Sequence, residues 1–211
     1  MPDHLVGVAV RRFDSLEAWS VSSALAVKTK HVKLGSCVTD PHRRHPAVLA
    51  QTVTTLDHLS NVGPILGIGA GEAMNLEPYG IRWDNPVSRL YEAVKLVKEC
   101  WAQPVVNFEG NFFCVEDALV EPKPIQKPHP PIWIAGNSPS TMKMTAEIAD
   151  GWIPVCIPPD VYKENLEKIL EWAKSYGRNP ESIEPAILVW VAVAEDRDKA
   201  RELKSYRERR L

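Results

Sequence analysis

Short apolar runs alternate along this chain with longer segments in which apolar residues recur at helical spacing. The runs are rich in Val, Ile and Trp and lack a strict apolar–polar alternation, which is typical of strands buried on both faces of a sheet. They cover residues 32–38, 65–70, 132–136, 152–157 and 186–194. Strands that alternate with helices predict an α/β fold built on a parallel sheet.

The segments between the runs carry the start and stop signals of helices. Asn85-Pro86 is a polar N-cap followed by proline in the first turn, and apolar residues then mark one helix face as far as Trp101. Gly177 ends a later helix, as glycine commonly does. We predict helices at 46–59, from 86 to about 101, at 139–149 and 160–176, and from Asp198 onward, with Arg207, Arg209 and Arg210 on the solvent face of the last one.

Residues 105–131 interrupt this alternation. They predict a β-hairpin around Glu109-Gly110-Asn111, followed by a proline-rich stretch that includes Lys127-Pro128-His129-Pro130-Pro131. Proline favours extended, irregular chain in such a stretch. Because an insertion of this length is usually functional, two interpretations stay open, a lid or rim over a site and a plain surface connector.

Small and polar residues stand where three strands are expected to end. Asp3-His4 opens the chain, residues 35–40 end the first apolar run, and residues 67–75 end the second. The carboxyl ends of parallel strands meet at one rim of a barrel, so the sequence predicts a site there. An eight-stranded barrel typically needs ~250 residues, whereas this chain has 211 residues and about five core strands. We therefore expect residues 1–211 to form a single, incomplete barrel domain that lacks the first units and the last strand.

The composition argues against several classes of partner. Lys and Arg number 25 against 27 Asp and Glu, so no basic excess favours nucleic acid or an anionic membrane, and no apolar run approaches a membrane span. The four cysteines are far apart and form no CxxC pair, which predicts structural thiols in a reducing cytoplasm and no metal site.

Taken in order, these motifs resemble the bacterial-luciferase-like superfamily, and within it the oxidoreductases that use coenzyme F420, an 8-hydroxy-5-deazaflavin. The resemblance extends from Pro2 to about Ala194 and is carried by Asp3-His4 and by residues 35–38, 46–51, 67–75, 79–80, 86–89, 127–136 and 149–152. It implies a TIM (β/α)₈ barrel with the deazaflavin across its C-terminal rim, a cis non-proline peptide at Cys37-Val38, and a homodimer.

Two residues are the catalytic candidates. An imidazole near neutral pH suits the removal or delivery of a hydroxyl proton, and the resemblance implies this role for His4. It implies that Glu72 is the acid that protonates or hydrogen-bonds the reduced ring. The alternative for His4 is a histidine near the start of the chain that has no catalytic role. The alternative for Glu72 is a glutamate that only favours the dipole of a helix N-terminus.

Further residues are candidates for binding the cofactor. Residues 135–138 end a strand and open a helix at Pro139, where free backbone N–H groups form an anion site that by resemblance holds the cofactor phosphate. Glycine permits close approach of a ligand. The complete set is Asp3, Ser36, Cys37, Val38, Gly69, Gly71, Asn75, Ala135, Gly136, Asn137 and Ser138. The basic cluster His42, Arg43, Arg44 and His45 meets either an anionic group or, as we expect, only solvent.

The sequence is compatible with three functions. The first is an F420-dependent oxidoreductase that moves a hydride between the deazaflavin and a small molecule such as a pterin imine, a secondary alcohol or a ketone. The second is an FMN-dependent, luciferase-like monooxygenase. The third is a truncated barrel that binds flavin without turnover.

Overall fold

The structure is a computed structural model that describes residues 1–5, 7–8 and 12–208, with side chains described for 1–5 and 14–202. The strands are β1 (Gly7–Val8), β2 (Arg12–Phe13), β3 (Leu34–Gly35), β4 (Pro64–Ile68), β5 (Val106–Glu109), β6 (Cys114–Ala118), β7 (Ile132–Ala135), β8 (Gly151–Ile153) and β9 (Glu184–Pro185). The α-helices are α1 (Ala18–Ala26), α2 (Pro46–Leu59), α3 (Ala73–Leu76), α4 (Pro86–Ala102), α5 (Pro139–Ile148), α6 (Pro159–Ser175) and α7 (Arg197–Glu208). Single 3₁₀ turns occupy Glu77–Tyr79 and Pro180–Ser182.

The central element is a parallel sheet with the order β3-β4-β7-β8-β9. Leu66 is opposite Ile132, and Ile134 is opposite Trp152, so β4, β7 and β8 run in register through the middle of the sheet. The start of the chain lies beside β3, because Cys37 N–H donates to the carbonyl oxygen of Met1. The parallel α/β prediction is confirmed, and the described residues form an open sheet rather than a closed barrel.

Helices cover the sheet with the apolar faces that the spacing predicts. Leu90, Val94 and Val97 of α4 are fully buried, and they join Leu49 of α2 and Leu66 of β4 in the main core. A smaller cluster around Trp152 and Ile169 lies between α5, α6 and β8. Burial of these apolar faces is the main favourable contribution to the fold.

The predicted helices and strands differ in accuracy. Helix α2 has the predicted bounds, and the other predicted helices start and end within about two residues of their predicted positions. Arg209 and Arg210, and the side chain of Arg207, lie outside the described residues. Among the described residues, no helix is long and apolar enough to cross a bilayer.

The fifth strand, predicted at 186–194, is present but starts earlier and is shorter than predicted. The regular strand is β9, and the pairing continues beyond it through Ala186 N–H, which donates to the carbonyl oxygen of Trp152, and through a bridge between Leu188 and Val155. Val191 and Val193 are 70% and 82% exposed. The last backbone hydrogen bonds of this pairing join Leu188 to Pro154 and Cys156, so the extended pairing with the segment after β8 ends before the apolar residues 191–194.

Helix α1 and the antiparallel pair β1–β2 were not predicted. Helix α1 begins after Glu17, whose carboxylate accepts hydrogen bonds from the N–H groups of Trp19 and Ser20 at 3.2 and 2.6 Å. Glutamate is not among the preferred N-cap residues, so the sequence offers no strong start signal here.

The predicted hairpin is present as β5 and β6, and the turn between its strands is hydrogen-bonded to α4. Glu92 accepts hydrogen bonds from the N–H groups of Asn111 and Phe112 at 2.8 and 2.9 Å. The Arg89 guanidinium lies 4.7 Å from the centre of the Phe112 ring. In the stretch after the hairpin, Asp57 of α2 accepts from the N–H groups of two successive residues, 125 and 126. No residue of 105–131 lines the cleft described below, which favours the surface connector over the lid.

Candidate active site

A cleft of about 350 Å³ lies at the carboxyl ends of β3, β4, β7 and β8. The turn after β3, the loop after β4 and the corner between β7 and α5 form its walls. The structure brings most of the predicted site residues together here: His4, Val38, Gly69, Gly71, Glu72, Asn75, Ala135, Gly136, Asn137 and Ser138. Thr39, Asp40, Arg43 and Thr141 also line the cleft and were not among the predicted site residues.

Three predicted cofactor contacts lie elsewhere. Asp3 is only 3% exposed, and its carboxylate is held by protein groups beside the cleft. Ser36 and Cys37 line a separate groove of about 440 Å³ on the sheet, next to Trp133. The Ser36 hydroxyl donates to the carbonyl oxygen of Gly67 at 2.8 Å, and burial raises the pKa of the Cys37 thiol. The Cys37-Val38 peptide is cis, as the resemblance implied.

Glu72 and Asn75 form a pair on the loop after β4. The Asn75 amide Nδ2 donates to Glu72 Oε2 at 2.6 Å. Glu72 occupies the N-cap position of α3, yet its side chain makes no capping hydrogen bond. Asn75 is 3% exposed, and its Oδ1 is buried and accepts no hydrogen bond from the described residues. The site therefore holds a carboxylate fixed by an amide, and a buried acceptor that still needs a donor.

The loop that carries this pair is anchored on its outer side. Trp83 Nε1 donates to the carbonyl oxygen of Ala70 at 3.0 Å, and His42 Nδ1 lies 3.1 Å from the carbonyl oxygen of Arg82. Burial lowers the pKa of His42, and the nearby Asp40 carboxylate opposes that shift. These contacts hold both ends of the loop close to the turn after β3.

The corner between β7 and α5 has the construction of a candidate anion site. Gly136 has φ 147°, a conformation that favours glycine, and a Cβ there would lie 2.6 Å from Thr141 Oγ1. Ser138 Oγ caps α5 by accepting from Thr141 N–H at 3.2 Å. Asn137 bonds both backbone groups of Val155, at 3.3 and 3.2 Å. The rigid N-terminus of α5 therefore faces the cleft, where its dipole favours a negative charge.

The floor of the cleft is apolar. A Cβ on Gly69 would lie 3.0 Å from Val38 Cγ2 and 3.5 Å from the Ala135 Cβ. Glycine at this position avoids that close contact with Val38. An apolar floor, a polar rim and a helix N-terminus at one end fit an aromatic ring that carries a phosphorylated tail.

The basic cluster is not a solvated loop, and that expectation is wrong for its two arginines. Arg43 lies 2.6 Å from an Asp40 oxygen and 3.5 Å from an Asp3 oxygen, with its side chain 7% exposed. Arg44 bridges Asp3 and Glu17, at 2.7 Å each. The only sequence signal for these pairs is that acids and arginines stand close to polar strand ends, because Asp3 and Arg43 are 40 positions apart and no local pattern indicates their contact.

A cleft at the carboxyl ends of parallel strands, with an anion site at a helix N-terminus, is the arrangement by which α/β enzymes bind phosphorylated cofactors. The chain belongs to the luciferase-like monooxygenase family, whose sequence model matches residues 3–209. In the described residues, no group of three or more His, Cys, Asp and Glu side chains is arranged to hold a metal ion.

The chain is similar to three proteins whose names state a reaction. A phthiodiolone/phenolphthiodiolone dimycocerosates ketoreductase of Mycobacterium kansasii is 37% identical over 95% of this chain and 57% of its own length. A 5,10-methylenetetrahydromethanopterin reductase of Archaeoglobus fulgidus is 31% identical over 90% of this chain and 56% of its own. A solved F420-dependent secondary alcohol dehydrogenase, in complex with an F420-acetone adduct, superposes with a TM-score of 0.82 at 32% identity, covering 89% of this chain and 58% of its own.

These relatives are oxidoreductases by name, and an F420-dependent enzyme is among them, which confirms the resemblance to luciferase-like F420 oxidoreductases. The chain spans a little over half the length of the curated relatives that it matches.

Proposed function

We propose that this chain belongs to an F420-dependent oxidoreductase that moves a hydride between the deazaflavin and a ketone, secondary alcohol or imine. The observation that carries the proposal is the meeting of His4, the Glu72–Asn75 pair and the N-terminus of α5 in one cleft. The proposal includes a complete (β/α)₈ barrel and a homodimer, which the resemblance supports, and a cytoplasmic location, which the widely spaced cysteines support.

The residues of the cleft suit the parts of F420. Val38 and Ala135 offer the apolar floor for the ring, and the buried Oδ1 of Asn75 offers an acceptor for a donor on the ring edge. Residues 136–138 would hold the phosphate at the N-terminus of α5. When bound, the deazaflavin supplies a two-electron hydride donor or acceptor.

Two side chains beside the floor, His4 and Glu72, have different roles in proton transfer. The imidazole of His4 takes the hydroxyl proton when an alcohol is oxidised and returns one to the carbonyl oxygen in reduction. Glu72, held at Oε2 by Asn75, would donate a proton or a hydrogen bond to the ring edge from its other carboxyl oxygen, Oε1. The apolar floor excludes water from beneath the ring and strengthens both interactions.

The test is a fluorescence titration of the protein with F420 and, separately, with FMN. We expect F420 to bind and FMN to bind much more weakly. Binding of FMN alone would move the assignment to the monooxygenases, and binding of neither would overturn the proposal for this chain.

Two variants then test the catalytic roles. Because a positioned acid or base contributes typically 10²–10⁴-fold, Glu72→Gln and His4→Ala should each lower kcat by about that factor, with F420 affinity changed less than about threefold. Glu77→Gln is the matched control, since Glu77 is an exposed neighbour that does not line the cleft. Equal losses in Glu72→Gln and Glu77→Gln would contradict the role of Glu72.

A further inference from the structure

We infer that Arg43 is a positioning residue for His4: its buried guanidinium fixes the peptide group between Asp3 and His4 and thereby sets the place of the imidazole in the cleft. The catalytic part of this inference rests on the function proposed above. Its structural part concerns this chain alone and has a test of its own.

One guanidinium joins two distant parts of the chain. Arg43 Nη2 donates to the backbone carbonyl oxygen of Asp3, which belongs to the peptide group that leads into His4. Arg43 Nε donates to Asp40 Oδ2 at 2.7 Å, and Nη2 lies 2.6 Å from the same oxygen. The start of the chain is thus tied to the turn after β3, 40 residues away.

The side chain of Asp3 is fixed as firmly as its carbonyl group. Its Oδ2 accepts from Thr39 Oγ1 and Arg44 Nη1 at 2.7 Å each, and from Trp19 Nε1 at 3.2 Å. The carboxylate is only 3% exposed. The residue before His4 is therefore held at both its backbone and its side chain.

The imidazole of His4, by contrast, is not held by hydrogen bonds from the described residues. Within the described part of the chain it makes no hydrogen bond or ion pair, and it lies between the cleft and a second cavity of about 330 Å³. Arg43 lines both cavities as well. The place of the imidazole consequently depends on the backbone of Asp3-His4, and the cation that holds this backbone is Arg43.

Lysine cannot replace this arginine. A guanidinium offers five N–H donors in a rigid fork and reaches a carbonyl and a carboxylate together, whereas an ammonium is a compact charge on a flexible stem. Arg43→Lys keeps the charge between Asp3 and Asp40 but loses the fixed link to the peptide group. A misplacement of about 1 Å in a catalytic group can cost on the order of 100-fold in rate.

The first test reads His4 directly and needs no cofactor. In protein with ¹³C-labelled histidine, the ring signal of His4 is assigned by its loss in His4→Ala. We expect one sharp signal in the wild type and a shifted, split or broadened one in Arg43→Lys. Arg178→Lys is the control, because Arg178 is another partly buried arginine that binds carbonyl oxygens, at the end of α5. An unchanged His4 signal in folded Arg43→Lys would overturn the inference.

The second test is a double-mutant cycle on turnover. Arg43→Lys should lower kcat about 10- to 100-fold with F420 affinity changed less than threefold, and it should cause no further loss in a His4→Ala background. Equal losses in both backgrounds would show a general structural role. If Arg43→Lys does not fold, Asp40→Asn serves instead, since it weakens the hold on Arg43 without removing it. Failure of the wild type to bind F420 would refute the proposed function, while the histidine spectrum would still decide the positioning role.

Discussion

Trp152 joins the smaller core cluster to the corner between β7 and α5. We therefore expect substitution of Trp152 to lower the free energy of unfolding. It is fully buried, its Nε1 donates to the carbonyl oxygen of Gly136 at 2.9 Å, and its ring stacks on Tyr162 with the centroids 5.3 Å apart. Trp152→Phe keeps a stacked ring and removes both the donor and the second ring of the indole.

The expected loss follows from these contacts. A hydrogen bond of this kind is worth about 1 kcal/mol net, and a carbonyl left without its donor costs about 1 kcal/mol more. The smaller ring leaves a void of about 40 Å³, which at ~24 cal/mol per Å³ adds about 1 kcal/mol. We expect the free energy of unfolding to fall by about 2–3 kcal/mol.

Urea titration followed by far-UV circular dichroism measures this change without relying on tryptophan emission. Trp172→Phe is the control, because Trp172 is only partly buried at the edge of the same cluster, and it should lose less than about 1 kcal/mol. A Trp152→Phe loss no larger than that of the control would refute the reasoning.

Tyr91, Cys100 and Gly136 each lead to a further expectation. The hydrogen bond to Glu147, with burial, raises the pKa of Tyr91 to about 12. Absorbance at 295 nm should therefore show this phenol ionising last. The contribution of the Tyr91–Glu147 hydrogen bond to the free energy of unfolding should be present below about pH 10 and lost between about pH 10 and 12. Burial raises the pKa of Cys100 to about 11, so a thiol reagent at pH 8 should label the exposed Cys114 quickly and Cys100 only on unfolding. Gly136→Ala should lower the free energy of unfolding by about 2 kcal/mol or more in a urea titration, because its φ of 147° is strained for alanine.

The helices were predictable because their signals are local. Pro46 and Pro86 mark starts, and the apolar positions between them and the helix ends repeat at the period that the core requires. The bounds of the last strand were not predictable, because they depend on how far its neighbour stays paired, and the apolar residues around Val191 are exposed beyond the last paired residue, Leu188.

In the candidate site too, the residues with a local sequence signal were predictable and the residues that depend on distant contacts were not. Glu72 and Gly136 stand beside recognisable strand ends, so the sequence alone marks them. The roles of Asp3 and Arg43 depend on a contact across 40 residues, which no local pattern contains. A buried ion pair and a solvated basic loop have the same sequence signature, and only the fold distinguishes them.

The order of the strands has a consequence for how such an enzyme can diversify. Strands β4 and β7 have a neighbour on each side, and the loops that follow them carry the Glu72–Asn75 pair and the anion site. His4 comes instead from the segment beside β3, at the border of the sheet. Amide hydrogens of β4 and β7 should therefore exchange last in native-state hydrogen exchange. Under the proposed function, the loops that would hold the cofactor can stay constant while the segment that carries His4 is replaced.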